Sequence, residues 1–240
     1  MSVSINSDMG EGIGLHSFGN DEDLMSIIDV ANVACGGHAS DPQIMGYTVE
    51  LAAKNGVAVG AHPGYPDVEG FGRRAIAMSA DEVENMVRYQ VGALSGFLLK
   101  HGVELNHIKP HGALYGVASR EEDVMAAIAR VAKDFGVPVF GRAGTVHQEV
   151  AEAAGVGFVG ELYVDLDYSA QGDLLIKRKP EPADPERAAA RVKRALETGY
   201  VESVDGTDIK IDFDSVCVHS DPGNAVEVAN AIKSIIDRSR

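Results

Sequence analysis

Four histidines stand where apolar, often β-branched runs give way to glycine, proline and polar residues: His38, His62, His111 and His219. With Asp8 and Glu11 they offer acid–base groups, and imidazole changes charge close to neutral pH. The same residue types also make a divalent-metal site, because imidazole and carboxylate suit zinc, manganese or iron. Asp8, His38 and His62 are the candidate ligands on that reading. There is no HExxH and no compact histidine pair, so a metal site depends on the fold gathering distant residues. Lys109 and Arg142 add positive charge suited to an anionic substrate, or to charge developing on oxygen in a transition state. Arg73 and Arg74 form either a solvated pair or a clamp for a carboxylate or phosphate.

A protein nucleophile is poorly supported. The chain has no GxSxG elbow, and Cys35 sits inside an apolar run, where it reads as a small buried hydrophobe. A water activated by carboxylate or histidine fits better, which points to hydrolysis or a related acid–base reaction of a small polar molecule. Gly10, Gly12 and Gly14 alternate but do not form G-x-G-x-x-G, and no GxxxxGK[ST] occurs, so a self-contained Walker site is absent. Asp8 and Glu11 in that glycine turn are either chemistry-bearing acids or solvated ones.

These residues need elements to position them. The central stretch is VAVGAHPGYPDVEGFGRR, Val57–Arg74. Val57–Ala61 predicts a buried strand, and Pro63 to Asp67 forces a loop over its end. Val30–Cys35 before His38, and Leu105–Lys109 before His111, repeat the construction. Further strands are expected at Val3–Asn6, Val137–Gly141, Gly157–Val164 and Ser215–Val218. Asp41-Pro42 and Asp184-Pro185 are helix starts, with glycine stops at Gly56 and Gly199. Ser79 with Glu82, and Ser119 with Glu122, have the capping-box spacing for helices reaching His101 and Phe135. A helix from Thr145 to Ala154 places His147 on the surface. Gln171–Asp184 reads as a loop, and Asp205-Gly206 as a type I′ hairpin turn. Asn224 to Arg238 predicts the closing helix.

Strand, polar loop and helix recur about seven times without a composition break, which implies a parallel sheet covered by helices. A doubly wound sheet and a (β/α) barrel both fit the alternation. Polar groups at nearly every strand end (Asp8, His38, His62, Lys109, His111, Arg142, Asp165, His219) favour the barrel, where all those ends meet at one mouth. The expectation is an α/β chain forming a single TIM-like (β/α)-barrel domain over residues 1–240.

Composition limits the partners. Net charge is −15 and the isoelectric point near 4.8, which argues against nucleic-acid binding. Two cysteines without a CxxC pair disfavour a disulfide framework and suit a reducing cytoplasm. Met1–Asn6 lacks a signal-peptide pattern, and no run approaches a membrane span. A soluble cytoplasmic protein is expected.

Several stretches together resemble the LamB/YcsF family: Asn6–Gly12 (NSDMGEG), Ala31–Ala39 (ANVACGGHA), Gly60–Arg74 with its GAHPGYPD and GFGRR, Val91–Leu94, Lys109–Tyr115 (KPHGALY), Ser203–Gly206 and Cys217–His219. They occur in family order across essentially the whole chain. The resemblance implies an irregular (β/α) barrel of glycoside hydrolase/deacetylase type. It also implies ATP-dependent opening of 5-oxo-L-proline to L-glutamate with two partner subunits, PxpB and PxpC. A chain without a Walker motif suits such a division, with ATP handled together with the partners. On this reading the lactam carbonyl oxygen is phosphorylated and water then attacks. The expected catalytic group is Asp8, Glu11, His62 and Lys109: Asp8 or Glu11 with His62 as base and acid, and Lys109 on the oxyanion. The expected substrate contacts are His38, His111, Arg73, Arg142, Asp165 and His219. One departure is Leu166, in ELYVDLDY, where the family pattern has arginine. Two other functions remain open: a metal-dependent deacetylase or amidohydrolase acting without ATP, and a non-catalytic binding subunit.

Overall fold

The computed structural model describes residues 3–175, 182–221 and 223–239. Residues 176–181 of the expected Gln171–Asp184 loop, Pro222 of the last strand-end loop, Met1, Ser2 and Arg240 lie outside them.

The chain opens with β1 (Ser4–Met9), α1 (Asp21–Met25), β2 (Val30–Ala34), α2 (Pro42–Asn55), β3 (Ala58–His62) and α3 (Ala80–His101). It continues through β4 (Leu105–Ile108), α4 (Gly112–Ala118), α5 (Glu122–Phe135), β5 (Val139–Gly141), α6 (Val146–Ala153) and β6 (Phe158–Tyr163). Two short antiparallel pairs follow, β7 (Asp167–Tyr168) with β8 (Leu174–Leu175) and β9 (Tyr200–Glu202) with β10 (Asp208–Lys210), on either side of α7 (Pro185–Thr198). The last elements are β11 (Ser215–Cys217) and α8 (Ala225–Ser239).

Seven parallel strands close into a barrel in the order β1-β11-β6-β5-β4-β3-β2. The expected (β/α) barrel is therefore the observed fold. Closure runs through the first and last barrel strands, with Ile5 against Val216 and Asn6 against Cys217. Strands buried on both faces read as largely apolar runs; β3 does so as far as His62, and β2 is broken by Asn32, which bonds inside the barrel. Val83, Val87, Val91, Leu94 and Leu98 are the buried stripe of α3.

Local signals explain most boundaries. Asp41 accepts from the amides of Gln43 and Ile44, and Gly56 ends α2 at φ +67°. Ser79 and Glu82 form the reciprocal capping box at α3. Three expectations differ. Ser119 does not cap α5; Glu121 takes that position without a side-chain cap bond, because α4 consumes the residues up to Ala118 that looked like loop. The β9–β10 register pairs Glu202 with Asp208, so the turn has five residues, 203–207, and Asp205 does not adopt the positive φ a type I′ turn demands. Finally, β1 runs on to Met9, which places Asp8 on a strand rather than in the glycine turn.

The barrel interior is polar. Asn6, Asn32, His107, Glu161 and Ser215 are fully buried within it. Ser215 Oγ accepts from Asn6 Nδ2 at 2.7 Å, Asn6 Oδ1 accepts from Asn32 Nδ2 at 2.8 Å, and His107 Nε2 donates to Asn32 Oδ1 at 2.7 Å. Buried polar side chains persist only when paired in this way.

Candidate active site

Parallel strands aim their C-terminal ends at one mouth, and chemistry there comes from several strands at once. Lys109 projects from the end of β4 into the interior network and is 2% exposed. Its Nζ ion-pairs with Glu161 Oε1 at 2.9 Å and Asp8 Oδ1 at 3.2 Å, and donates to Asn6 Oδ1 at 3.2 Å and Cys217 Sγ at 3.1 Å. Burial works against the ammonium, but Asp8, Cys217 and Glu161 outweigh it and hold the lysine well above its ordinary pKa. Burial likewise pushes the Asp8 carboxyl up; His62 and Lys109 reverse this and hold it well below the usual range. Asn32 Nδ2 donates to Asp8 Oδ1 at 2.8 Å. Asp8 is thus an ionised, oriented carboxylate with Oδ2 facing His62 at 3.3 Å and His219 at 3.6 Å.

Beside it lies a cluster of three imidazoles and a carboxylate. His38 and His111 stack with centroids 3.6 Å apart, and His62 stands perpendicular to His111. Glu11 Oε1 is 2.9 Å from His38 Nε2 and 3.3 Å from His111 Nδ1. Burial first, then neighbouring imidazoles, keeps His38 and His111 well below the ordinary histidine pKa, so both are neutral. Burial also raises Glu11. Phe71 takes the left-handed conformation at φ +54°, unusual for a bulky side chain, and its carbonyl accepts from His111 Nε2 at 2.8 Å.

At the end of β11, His219 presents Nε2 to the cavity while Nδ1 donates to Asp165 Oδ1 at 2.9 Å. Burial lowers the imidazolium, yet the Asp165 carboxylate more than compensates, and the pKa rises to about 9. An ionised Asp8 and a protonated His219 therefore face one cavity of about 290 Å³. Its rim carries Arg73, paired with Asp221 at 2.9 Å, and Arg187 beside Asp167. A carboxylate able to orient a water and an imidazolium able to give a proton, 3.6 Å apart, are the parts needed for general acid–base cleavage.

Asp8, Glu11, His62, Lys109, His111, Arg73, Asp165 and His219 all line this cavity. His38 lies behind His111 and touches the site through Glu11. Arg142 does not line the cavity; it bonds the Gly172 carbonyl and Asp173 in the β7–β8 turn. Arg74 turns outward onto Asp67. The metal set differs as well: the groups that converge with His38 and His62 are Glu11 and His111, while Asp8 belongs to a second group with Cys217 and His219. His147 is fully buried rather than on the surface, donating to the Tyr115 carbonyl and accepting from the Arg142 amide.

Sequence reasoning missed Asn32, His107, Glu161 and Arg191. Each bonds other polar groups instead of ending a strand, and only the positions of Asn32 and Glu161 within longer motifs set them apart. Leu166 lines the cavity, and its carbonyl accepts from Arg191 Nη1.

Cys35 is the buried hydrophobe expected, its thiol pushed up to about 12 by burial. Among the described residues no helix is long and apolar enough to cross a membrane.

The LamB/YcsF family model matches residues 3–240. The lactam utilization protein lamB of Emericella nidulans is 44% identical over 97% of this chain and 93% of its own length. The A subunit of 5-oxoprolinase from Thermus thermophilus is 42% identical over 100% of this chain and 97% of its own. The crystal structure of a lactam utilization protein from the same organism superposes with a TM-score of 0.91 at 41% identity, covering 100% of this chain and 97% of that one.

Proposed function

This chain belongs to the LamB/YcsF family, and on that footing we propose that it opens the lactam ring of 5-oxo-L-proline to give L-glutamate. It acts as the A subunit of an ATP-hydrolysing 5-oxoprolinase in the cytoplasm, with PxpB and PxpC as partners that share the handling of ATP. The names of the full-length relatives support this reading. The observation that carries it is the pairing of an ionised Asp8 with a protonated His219 across one small cavity.

In the proposed reaction the lactam oxygen attacks the terminal phosphorus of ATP and ADP departs. Water bonds to the activated ring carbon and passes a proton to Asp8. An electrophile activated this way tolerates a weak base, which a carboxylate with a depressed pKa is. The carbon–nitrogen bond then breaks, and the His219 imidazolium supplies the proton the nitrogen needs. The γ-carboxyl phosphate that remains is released as glutamate and phosphate by a second water. Lys109 holds Asp8 in place and adds positive charge beside the developing oxyanion. Arg73 at the rim suits the substrate carboxylate.

The test is glutamate release from 5-oxoproline and ATP by the three subunits together, with this chain as wild type, as Asp8→Asn, and omitted. Wild type should produce glutamate and the other two should not; silence from the complete set defeats the proposal. One observation favours a second reading, metal-dependent amide hydrolysis without ATP: the convergence of Glu11, His38, His62 and His111. Chelator-sensitive amide hydrolysis in the absence of ATP would select it.

A further inference from the structure

His62 and His111 face each other through nitrogens 3.0 Å apart, His62 Nε2 and His111 Nδ1. The other nitrogen of each ring is committed. His62 Nδ1 lies 2.8 Å from the Lys109 carbonyl, and His111 Nε2 lies 2.8 Å from the Phe71 carbonyl. A carbonyl has no proton to give, so both outer nitrogens carry N–H. In two neutral rings the inner nitrogens are then both lone pairs, and no hydrogen bond can join them. Glu11 Oε1 lies 3.3 Å from the same His111 nitrogen, with His38 Nε2 a further 2.9 Å from that oxygen. Acceptors buried this closely repel unless a positive centre sits between them.

We propose that Glu11, His38, His62 and His111 bind one divalent transition-metal ion of the zinc or cobalt kind. Four features of the site fit such an ion. Three imidazoles and a carboxylate are a borderline donor set. All four donor atoms lie within 4.8 Å of one another, and the shortest separations approach the roughly 3.3 Å edge of a tetrahedral site with bonds of about 2.0–2.1 Å. The backbone carbonyls on the outer nitrogens of His62 and His111 fix the tautomer, as partners of metal-bound histidines do. Space is also matched: a Cβ on Gly72 would stand 2.7 Å from His38 Cβ and 2.8 Å from His111 Cδ2, and one on Gly64 would stand 2.7 Å from His38 Nδ1. When bound, such an ion polarises a carbonyl oxygen or lowers the pKa of a water.

The alternative positive centre is a single proton, making His62 an imidazolium that donates to His111 and Asp8. The experiment separates the two without using activity. Untagged protein is stripped with chelator, titrated with Zn²⁺ or Co²⁺, passed through a desalting column, and measured for metal content and thermal melting. The expected result is about one ion retained per chain with a raised melting temperature. His62→Gln and His111→Gln should each lose the ion while still melting cooperatively, and Asp8→Asn should keep it. Wild type that retains no ion overturns the proposal. So does retention by His111→Gln together with loss in Asp8→Asn, which would move the ion to the group of Asp8, Cys217 and His219. Should the His111→Gln chain fail to fold, the Co²⁺ absorption spectrum of wild type decides: tetrahedral imidazole-type bands support the site, and their absence rejects it. Ion binding stands or falls apart from lactam opening, so failure of glutamate release leaves this measurement meaningful.

Discussion

Asp165 accepts twice from His219, from its backbone amide at 2.7 Å and from Nδ1 at 2.9 Å. The contact raises the folded-state pKa of His219 to about 9, above the roughly 6.5 of an unfolded chain. Stability from a raised histidine is therefore complete below about pH 6.5 and is lost as pH rises through about 9, amounting to about 3 kcal/mol. Melting curves from pH 6 to 10 should fall over that window in wild type. Asp165→Asn should be less stable at pH 6 and nearly flat across it. The alkaline limb of kcat/KM in the reconstituted enzyme should also move to lower pH in that variant, because the proposed proton donor is lost sooner.

Lys109 holds buried carboxylates on two sides, Asp8 and Glu161. Removing one partner of a buried ion pair strands the other charge, at a cost of about 3–5 kcal/mol. Lys109→Met should show that loss in denaturant unfolding. Adding Glu161→Gln should restore part of it, because one stranded charge is gone, while turnover stays abolished. Equal stability of Lys109→Met and wild type would contradict this account of the interior.

Gly60 leaves room for a histidine ring. A Cβ there would fall 2.0 Å from His107 Cε1, and His107 is held by its bond to Asn32 and by stacking on Phe140 at 3.8 Å. Overpacking of this kind costs about 1–3 kcal/mol. Gly60→Ala should be destabilised by that much in chemical denaturation. Its activity should fall as well, since Asn32 also orients Asp8.

Arg191 Nη1 reaches three carbonyls, those of Tyr163, Val164 and Leu166. These bonds tie down the segment that carries Asp165 over the cavity. Arg191→Met should raise KM for the lactam by about tenfold, the scale of a hydrogen bond to a charged group, with a smaller change in kcat. A change confined to kcat would argue against a role in holding the loop.

The barrel was legible because segments such as Val57–Ala61 and Val137–Gly141 read as apolar runs that give way to polar loops, and because Asp41, Ser79 and Asp184 are strong helix caps. The convergence of Asp8, His62, Lys109, His111 and His219 followed from their common position at strand ends. Arg142 shares that position yet turns away, since Gly172 and Asp173 on a later turn capture its guanidinium, and nothing local reports a partner thirty residues on. His147 looked like surface because α6 is short and its polar face plain, but one ring nitrogen reaches Tyr115 on a neighbouring helix. Glu161 and Asn32 were hidden for a related reason. A polar residue inside a strand carries no local mark of its partner on another strand, which is Lys109 for Glu161 and Asn6, Asp8 and His107 for Asn32.

The seam between β1 and β11 has a consequence for biosynthesis. Asp8 belongs to the first barrel strand in chain order, and His219 lies just beyond the last. The cavity therefore stays open-sided until β11 has emerged, and docking of β11 and α8 completes the ring. A nascent chain halted before Ser215 would carry most of the residues described above and still have nothing to bring them to bear on a substrate.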